Sequence, residues 1–162
     1  MSSLTSRIPL PNDRLLPGLA ELLDADRFAA AATELLPTGE SLVGCRLEYL
    51  RYKPGTNAVA AYSLVRAGHE RPLLVHGKCH TSEDYETARN KAAEGRLIDT
   101  SPVLPMLARD DSQLILFTFP NDQMLSGLRF AASAKRLQRT LYAWEPALKA
   151  EDWRISDSRM VI

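Results

Sequence analysis

The first forty residues carry apolar positions at helical spacing. In LAELLD, Leu19, Leu22 and Leu23 fall on one side, and in DRFAAAATELL, Phe28, Ala31, Ala32 and Leu35 repeat the pattern. Asp24 or Asp26 can cap the second helix, and Pro37 and Gly39 end it. The period then changes from helix to strand. In CRLEYLRY, Cys45, Leu47 and Tyr49 alternate with Arg46 and Glu48, so the three are expected on one face. KPGTN is a bend. AVAAYSLV continues as a strand with Val59, Ala61, Ser63 and Val65 on one face. RAGHERP turns again, and LLVHGKCH reads as a third strand of an antiparallel meander.

SEDYETARNKAAEGRL is the clearest helix. Thr81 or Ser82 opens it, acids occupy its first turn, Gly95 closes it, and Tyr85, Ala88 and Ala92 form its apolar stripe. VLPMLARD and QLILFTF follow as two strands joined through Asp110, Asp111 and Ser112. FPND breaks the pattern. FAASAKRLQRTLYAW is a last helix with Phe130, Ala134, Leu137 and Leu141 on its buried side. The tail, ending RISDSRMVI, has a weak strand pattern. Strands cluster rather than alternate with helices, which predicts an α+β fold built on a mainly antiparallel five-stranded sheet. One helix is packed between strands three and four. The expected division is an N-terminal helical segment over 1–40, a sheet domain over 41–128, and a C-terminal helix and tail over 129–162.

Composition narrows the function. The 162 residues include 20 lysines and arginines against 20 aspartates and glutamates, a formal net charge of zero. A general nucleic-acid binder needs a positive surplus, so no nucleic acid is expected as a partner. Cys45 and Cys79 make no disulfide framework. No signal-peptide core and no apolar run near membrane-spanning length is present, so the expected setting is the cytoplasm, with no membrane partner.

The bend in RYKPGTNAVAAY holds the first candidate chemistry. Pro54 fixes φ and Gly55 tolerates a positive one, which favours a type II turn in a loop from Lys53 to Asn57. Amides at Gly55, Thr56 and Asn57 can meet phosphate oxygens. Arg51 and Lys53 share the strand side opposite Tyr52. A solvent-exposed hairpin with basic flanks explains the same residues. HGKCH suggests a metal, but His76 and His80 on one strand stand about 13 Å apart, too far to grip one zinc ion. Gly77-Lys78 lacks the first glycine and the Ser/Thr of a Walker phosphate loop.

The order and spacing of these pieces resemble the amino-terminal lobe of the aminoglycoside phosphotransferase-like small-molecule kinases, which share the protein-kinase-like fold. The resemblance covers about Leu42 to Leu128. It rests on RYKPGTNAVAAY as the phosphate-covering hairpin, LLVHGKCH as the strand with the nucleotide lysine and DYETARNKAAEGRL as the lobe's helix. VLPMLARDDSQLILFTFPND matches the strands leading to the interlobe linker. The family's Gly-rich loop is reduced here to Gly55. The resemblance implies that ATP is the nucleotide and that a small-molecule hydroxyl is the acceptor. Lys53, Gly55 and Thr56 would lie over the phosphates and Lys78 would pair with them. Glu86, or failing it Glu94, would orient Lys78. Backbone groups at Thr118 and Phe119 would meet the adenine edge. Phe117, Phe119, Met124 and Leu125 could line an adenine pocket, although aromatics at strand spacing are more often core. The family's catalytic Asp and magnesium ligand belong to a second lobe. None of His69, His76 and His80 begins a His-x-Asp triplet. The resemblance therefore implies a chain that is catalytically incomplete alone, with Mg²⁺ ligands supplied by the missing lobe. The competing reading is a non-catalytic α+β ligand-binding or interaction module, with a homodimer possible through the edge strand or the tail.

Overall fold

The computed structural model describes residues 11–95, 97–121, 134–144 and 146–150. The expectations for Met124, Leu125, Phe130 and the tail strand lie outside those residues. The helices α1 (Leu19–Leu23) and α2 (Ala25–Thr33) come first. The strands β1 (Leu42–Lys53), β2 (Asn57–Arg66) and β3 (Leu73–His80) follow, then α3 (Ser82–Glu94), β4 (Met106–Arg109) and β5 (Leu114–Thr118). Beyond them are α4 (Ala134–Trp144) and α5 (Ala147–Ala150). The fold is α+β, with a five-stranded sheet in the order β1-β2-β3-β5-β4 and every neighbouring pair antiparallel. Chain contacts divide the protein into one unit ending at Phe119 and a second beginning at Pro120. Among the described residues no helix is long and apolar enough to cross a membrane.

Local chemistry sets the helix ends. Asp24 caps α2, its Oδ1 accepting from the amides of Asp26 at 3.0 Å and Arg27 at 3.1 Å. Asp26 instead lies in the first turn, where its charge meets the positive end of the helix. Thr81 caps α3, its Oγ1 accepting from the Asp84 amide at 3.3 Å, and Gly95 follows its last turn.

Side chains pack against both faces of the sheet. On one, Leu19, Leu22, Phe28 and Leu35 from the helical segment bury against Ala58, Ala60, Tyr62, Leu64, Val75 and Leu116. Each fully buried leucine contributes about 1.5–3 kcal/mol relative to exposure. The helical segment and the sheet thus share one core. Tyr62 stacks on Phe28 with ring centroids 4.0 Å apart and donates its hydroxyl to the Leu22 carbonyl at 2.9 Å. Arg109 of β4 joins the same assembly from the rim, pairing with Glu21 of α1 at 2.8 Å and with Glu34. On the opposite face, Tyr85 and Ala92 of α3 pack on Ile115 and Phe117, with Ala88 and Met106 beside them.

β1 departs from the simple alternation. Leu47 pairs with Tyr62 while Tyr49 pairs with Ala61, so Glu48 is an extra residue that forms a bulge. Cys45 and Leu47 therefore share the α1–α2 face, and Tyr49 turns to the other, where it is 54% exposed.

Candidate functional site

Strand register assembles the site. Arg51 pairs with Val59, Val59 with Lys78, and Lys78 with Ile115. Residues directly paired across strands point to one face, so these four form a row on the α3 side. The next row holds Tyr49, Ala61, His76 and Phe117, and the row at the hairpin end holds Lys53, Asn57 and His80. Arg51 and Lys78 are two strands apart, about 10 Å, with Lys53 about 7 Å along β1 from Arg51. Three cations therefore lie on one face of three adjacent strands. Val59, Ala61, His76 and Lys78 are all partly exposed. The Asn57 Oδ1 is buried without a hydrogen-bond partner. An unpaired buried acceptor costs about 1–3 kcal/mol, which a donor supplied by a bound molecule would offset.

The hairpin itself turns its amide elsewhere. Thr56 N–H donates to the Lys53 carbonyl at 3.1 Å and Gly55 has φ of 67°, the type II turn that Pro-Gly favours. Gly55 N–H donates to Asp13 Oδ2 at 2.7 Å, and Tyr52 Oη donates to the same oxygen at 2.9 Å. Tyr52 lies on the α1–α2 face, opposite Arg51 and Lys78. The expected phosphate contacts from the Gly55 and Thr56 amides are therefore corrected: both donors are taken within the protein. The Gly55 amide is the largest cause holding the Asp13 carboxyl below its ordinary range, and the Leu15 amide and Tyr52 hydroxyl act in the same direction against burial.

Glu86 also takes part in the surface pairing of α3. Its carboxylate is 63% exposed and pairs with Arg89 at 2.9 Å, one turn along α3. Arg89 reaches on to Asp110 at 3.1 Å, and Tyr85 Oη donates to Asp110 at 2.7 Å. Asp110, in the β4–β5 turn, is thus the anchor of the α3 surface. The Tyr85 hydroxyl bond is the largest cause lowering its pKa, followed by Arg89. Glu94 is exposed.

The two amides expected at an adenine edge are taken as well. Thr118 N–H donates to the Pro105 carbonyl at 3.0 Å and its hydroxyl to the Leu104 carbonyl at 2.8 Å. Phe119 N–H donates to the Leu74 carbonyl at 2.9 Å. Neither amide is left for a base.

His76 stacks on Phe117 with ring centroids 5.1 Å apart. His80 is buried, and burial first, then the Lys78 charge, lowers its pKa to about 4. Among the described residues no group of three or more His, Cys, Asp or Glu could hold a metal ion, so a Mg²⁺ ligand set is not found there. A shallow groove of about 290 Å³ lies over α1, α2 and the end of β4, lined by Glu21, Arg27, Ala30, Ala31, Glu34 and Arg109. Its acids and cations largely offset one another, and it is on the sheet face away from Lys78.

Sequence reasoning missed Asp13, Asp110 and Arg109. Asp110 had a visible signal, an acid pair in a tight strand connection. Asp13 had only its place before an apolar helix, in a polar, proline-broken stretch. No protein-family model, no curated protein and no solved structure matches this chain.

Proposed function

We propose that the unit ending at Phe119 binds ATP as the nucleotide lobe of a phosphotransferase acting on a small-molecule hydroxyl. The observation that carries this reading is the row of Arg51, Val59 and Lys78, with Lys53 beside it, on the face that α3 also covers. Three cations on one sheet face, with Arg51 about 7 Å from Lys53 and about 10 Å from Lys78, make a positively charged stretch that attracts an anion. A triphosphate supplies that anion, and Val59 and Ala61 supply apolar surface for a base. The succession of hairpin, lysine strand, helix and two further strands supports the same reading. The amides of Gly55, Thr56, Thr118 and Phe119, all bonded within the protein, drop out of the site. Phosphate transfer also requires a catalytic carboxylate and metal ligands, which this reading assigns to a second lobe. The cytoplasm is the proposed setting, where Cys45 and Cys79, both free, stay reduced.

A second reading, a non-catalytic binding or interaction module, is favoured by two contacts. Asp13 fills the hairpin amide and Arg89 fills Glu86, as purely structural partners would. The outer edge of β1, with Val43 at 66% and Tyr49 at 54% exposure, offers such a module a pairing surface for a second copy or another strand. Thermal denaturation with and without ATP separates the readings. The nucleotide reading expects ATP to raise the melting temperature of the parent chain and to lose that effect in Lys78→Ala. Equal shifts in both, or none in the parent, reject it.

A further inference from the structure

The hairpin over the cationic face is held from behind, and the holder is an acid that precedes the first helix. Asp13 Oδ2 receives two donors from the hairpin, the Gly55 amide at 2.7 Å and the Tyr52 hydroxyl at 2.9 Å. Its other oxygen receives the Leu15 amide at 3.0 Å, and its carbonyl receives the Leu16 amide at 3.1 Å. Leu16 is 1% exposed in the core, so the carboxylate rides on an anchored segment. The Leu15 side chain lies beside the turn, 3.5 Å from where a Gly55 Cβ would stand.

The turn type explains why an acid fits there. In a type II turn the central peptide is reversed relative to a type I turn, which carries its N–H to the other side of the hairpin. Here that peptide joins Pro54 to Gly55, and its N–H points to the side that bears Tyr52 and Asp13. A carboxylate at this point favours the type II form with a charge-assisted bond. It also removes the amide as a ligand for anything on the opposite face.

We propose that Asp13 is the positioning residue of this hairpin. It fixes the Pro54–Gly55 peptide from the α1–α2 side, so that phosphate on the other side is met by the side chains of Arg51, Lys53 and Lys78 and not by loop amides. This rests on the nucleotide reading for the identity of the anion, and on the structure alone for the role of Asp13. The hairpin enters the complex already ordered, and binding does not have to supply that ordering. Recognition through side-chain cations also makes the affinity depend strongly on salt.

The test uses the full chain and two readouts. Amide hydrogen exchange reports the Gly55 N–H, and calorimetry reports affinity for ATP and for adenosine. In the parent the Gly55 amide is protected. Asp13→Ala is expected to expose it and to weaken ATP roughly fivefold, about the worth of one ordering contact, while adenosine binding is unchanged. Asp13→Asn keeps an acceptor oxygen and is expected to restore most of the protection and most of the affinity. Tyr52→Phe removes one donor and preserves the Gly55 bond, so it keeps Gly55 protected even if Asp13→Ala fails to fold. Unchanged Gly55 exchange in Asp13→Ala overturns the positioning role, as does an equal loss for ATP and adenosine. If Tyr52→Phe exposes Gly55 as fully as Asp13→Ala, the clasp belongs to the tyrosine and the proposal fails. A parent chain that ignores ATP rejects the nucleotide reading, and the exchange of Gly55 still decides the role of Asp13.

Discussion

Gly77 has no side chain, and the space a Cβ would take is already filled. A Cβ there would stand 2.8 Å from Leu22, 2.9 Å from Leu116 and 3.0 Å from Phe28. These side chains belong to α1, β5 and α2, so the glycine lets the helical layer sit down on the sheet beside Lys78. Gly77→Ala overpacks that contact and should destabilise the chain by about 1–3 kcal/mol, read as a lower urea midpoint. An unshifted midpoint would mean that the layers are further apart than described. His80 tests burial in another way. Its folded pKa of about 4 lies below the ordinary histidine value of 6.5, so the unfolded chain takes up the proton first as pH falls. Stability from this group is complete above pH 6.5 and is lost as pH falls from there to about 4. Thermal melts across that range should decline less steeply in His80→Asn than in the parent, and parallel profiles would place the imidazole in water. Neither residue's role was legible in the sequence. Gly77 reads there as half of a Gly-Lys pair and His80 as half of a His-x-x-x-His pair. What decides both is packing from segments about fifty and thirty residues away, near the scale at which spacing carries no information.

At the scale of elements, caps and periodicity were enough. Asp24 and Thr81 are the side chains that start α2 and α3, and the Tyr85–Ala88–Ala92 stripe is the one that packs. Each exposed cap is worth about 1 kcal/mol, and Asp24→Ala should lower stability by that amount without altering the core. The attachment of α3 was not legible, because it depends on which acid in the β4–β5 turn comes beneath it. Tyr85→Phe removes the 2.7 Å bond to Asp110 and should lower stability by about 1–2 kcal/mol. Hydrogen exchange should then rise selectively in α3, and a uniform rise would assign the bond no local role. The bulge at Glu48 was equally hidden. A single inserted residue leaves a run of alternating residues looking regular, while sending Tyr49 to the opposite face from Leu47.

For the whole molecule, clustering of strands was sufficient to give an antiparallel α+β fold. It did not give the order, in which β5 inserts between β3 and β4 and brings Ile115 beside Lys78. That insertion completes the row of the candidate site: β5 provides its apolar end, and β1 and β3 provide its cations. The lysine was legible as a candidate because it sits on the strand before a capped helix. The ion pair that Glu86 makes with Arg89, one turn along its own helix, was not. The most direct measurement is calorimetric titration of the parent, Arg51→Ala and Lys78→Ala with ATP, ADP and adenosine at low salt. The expected result is affinity falling from ATP to ADP to adenosine in the parent, with either substitution weakening ATP about tenfold and leaving adenosine unchanged. ATP binding that is equal in all three proteins, or no stronger than adenosine in the parent, would contradict an anion site on this face.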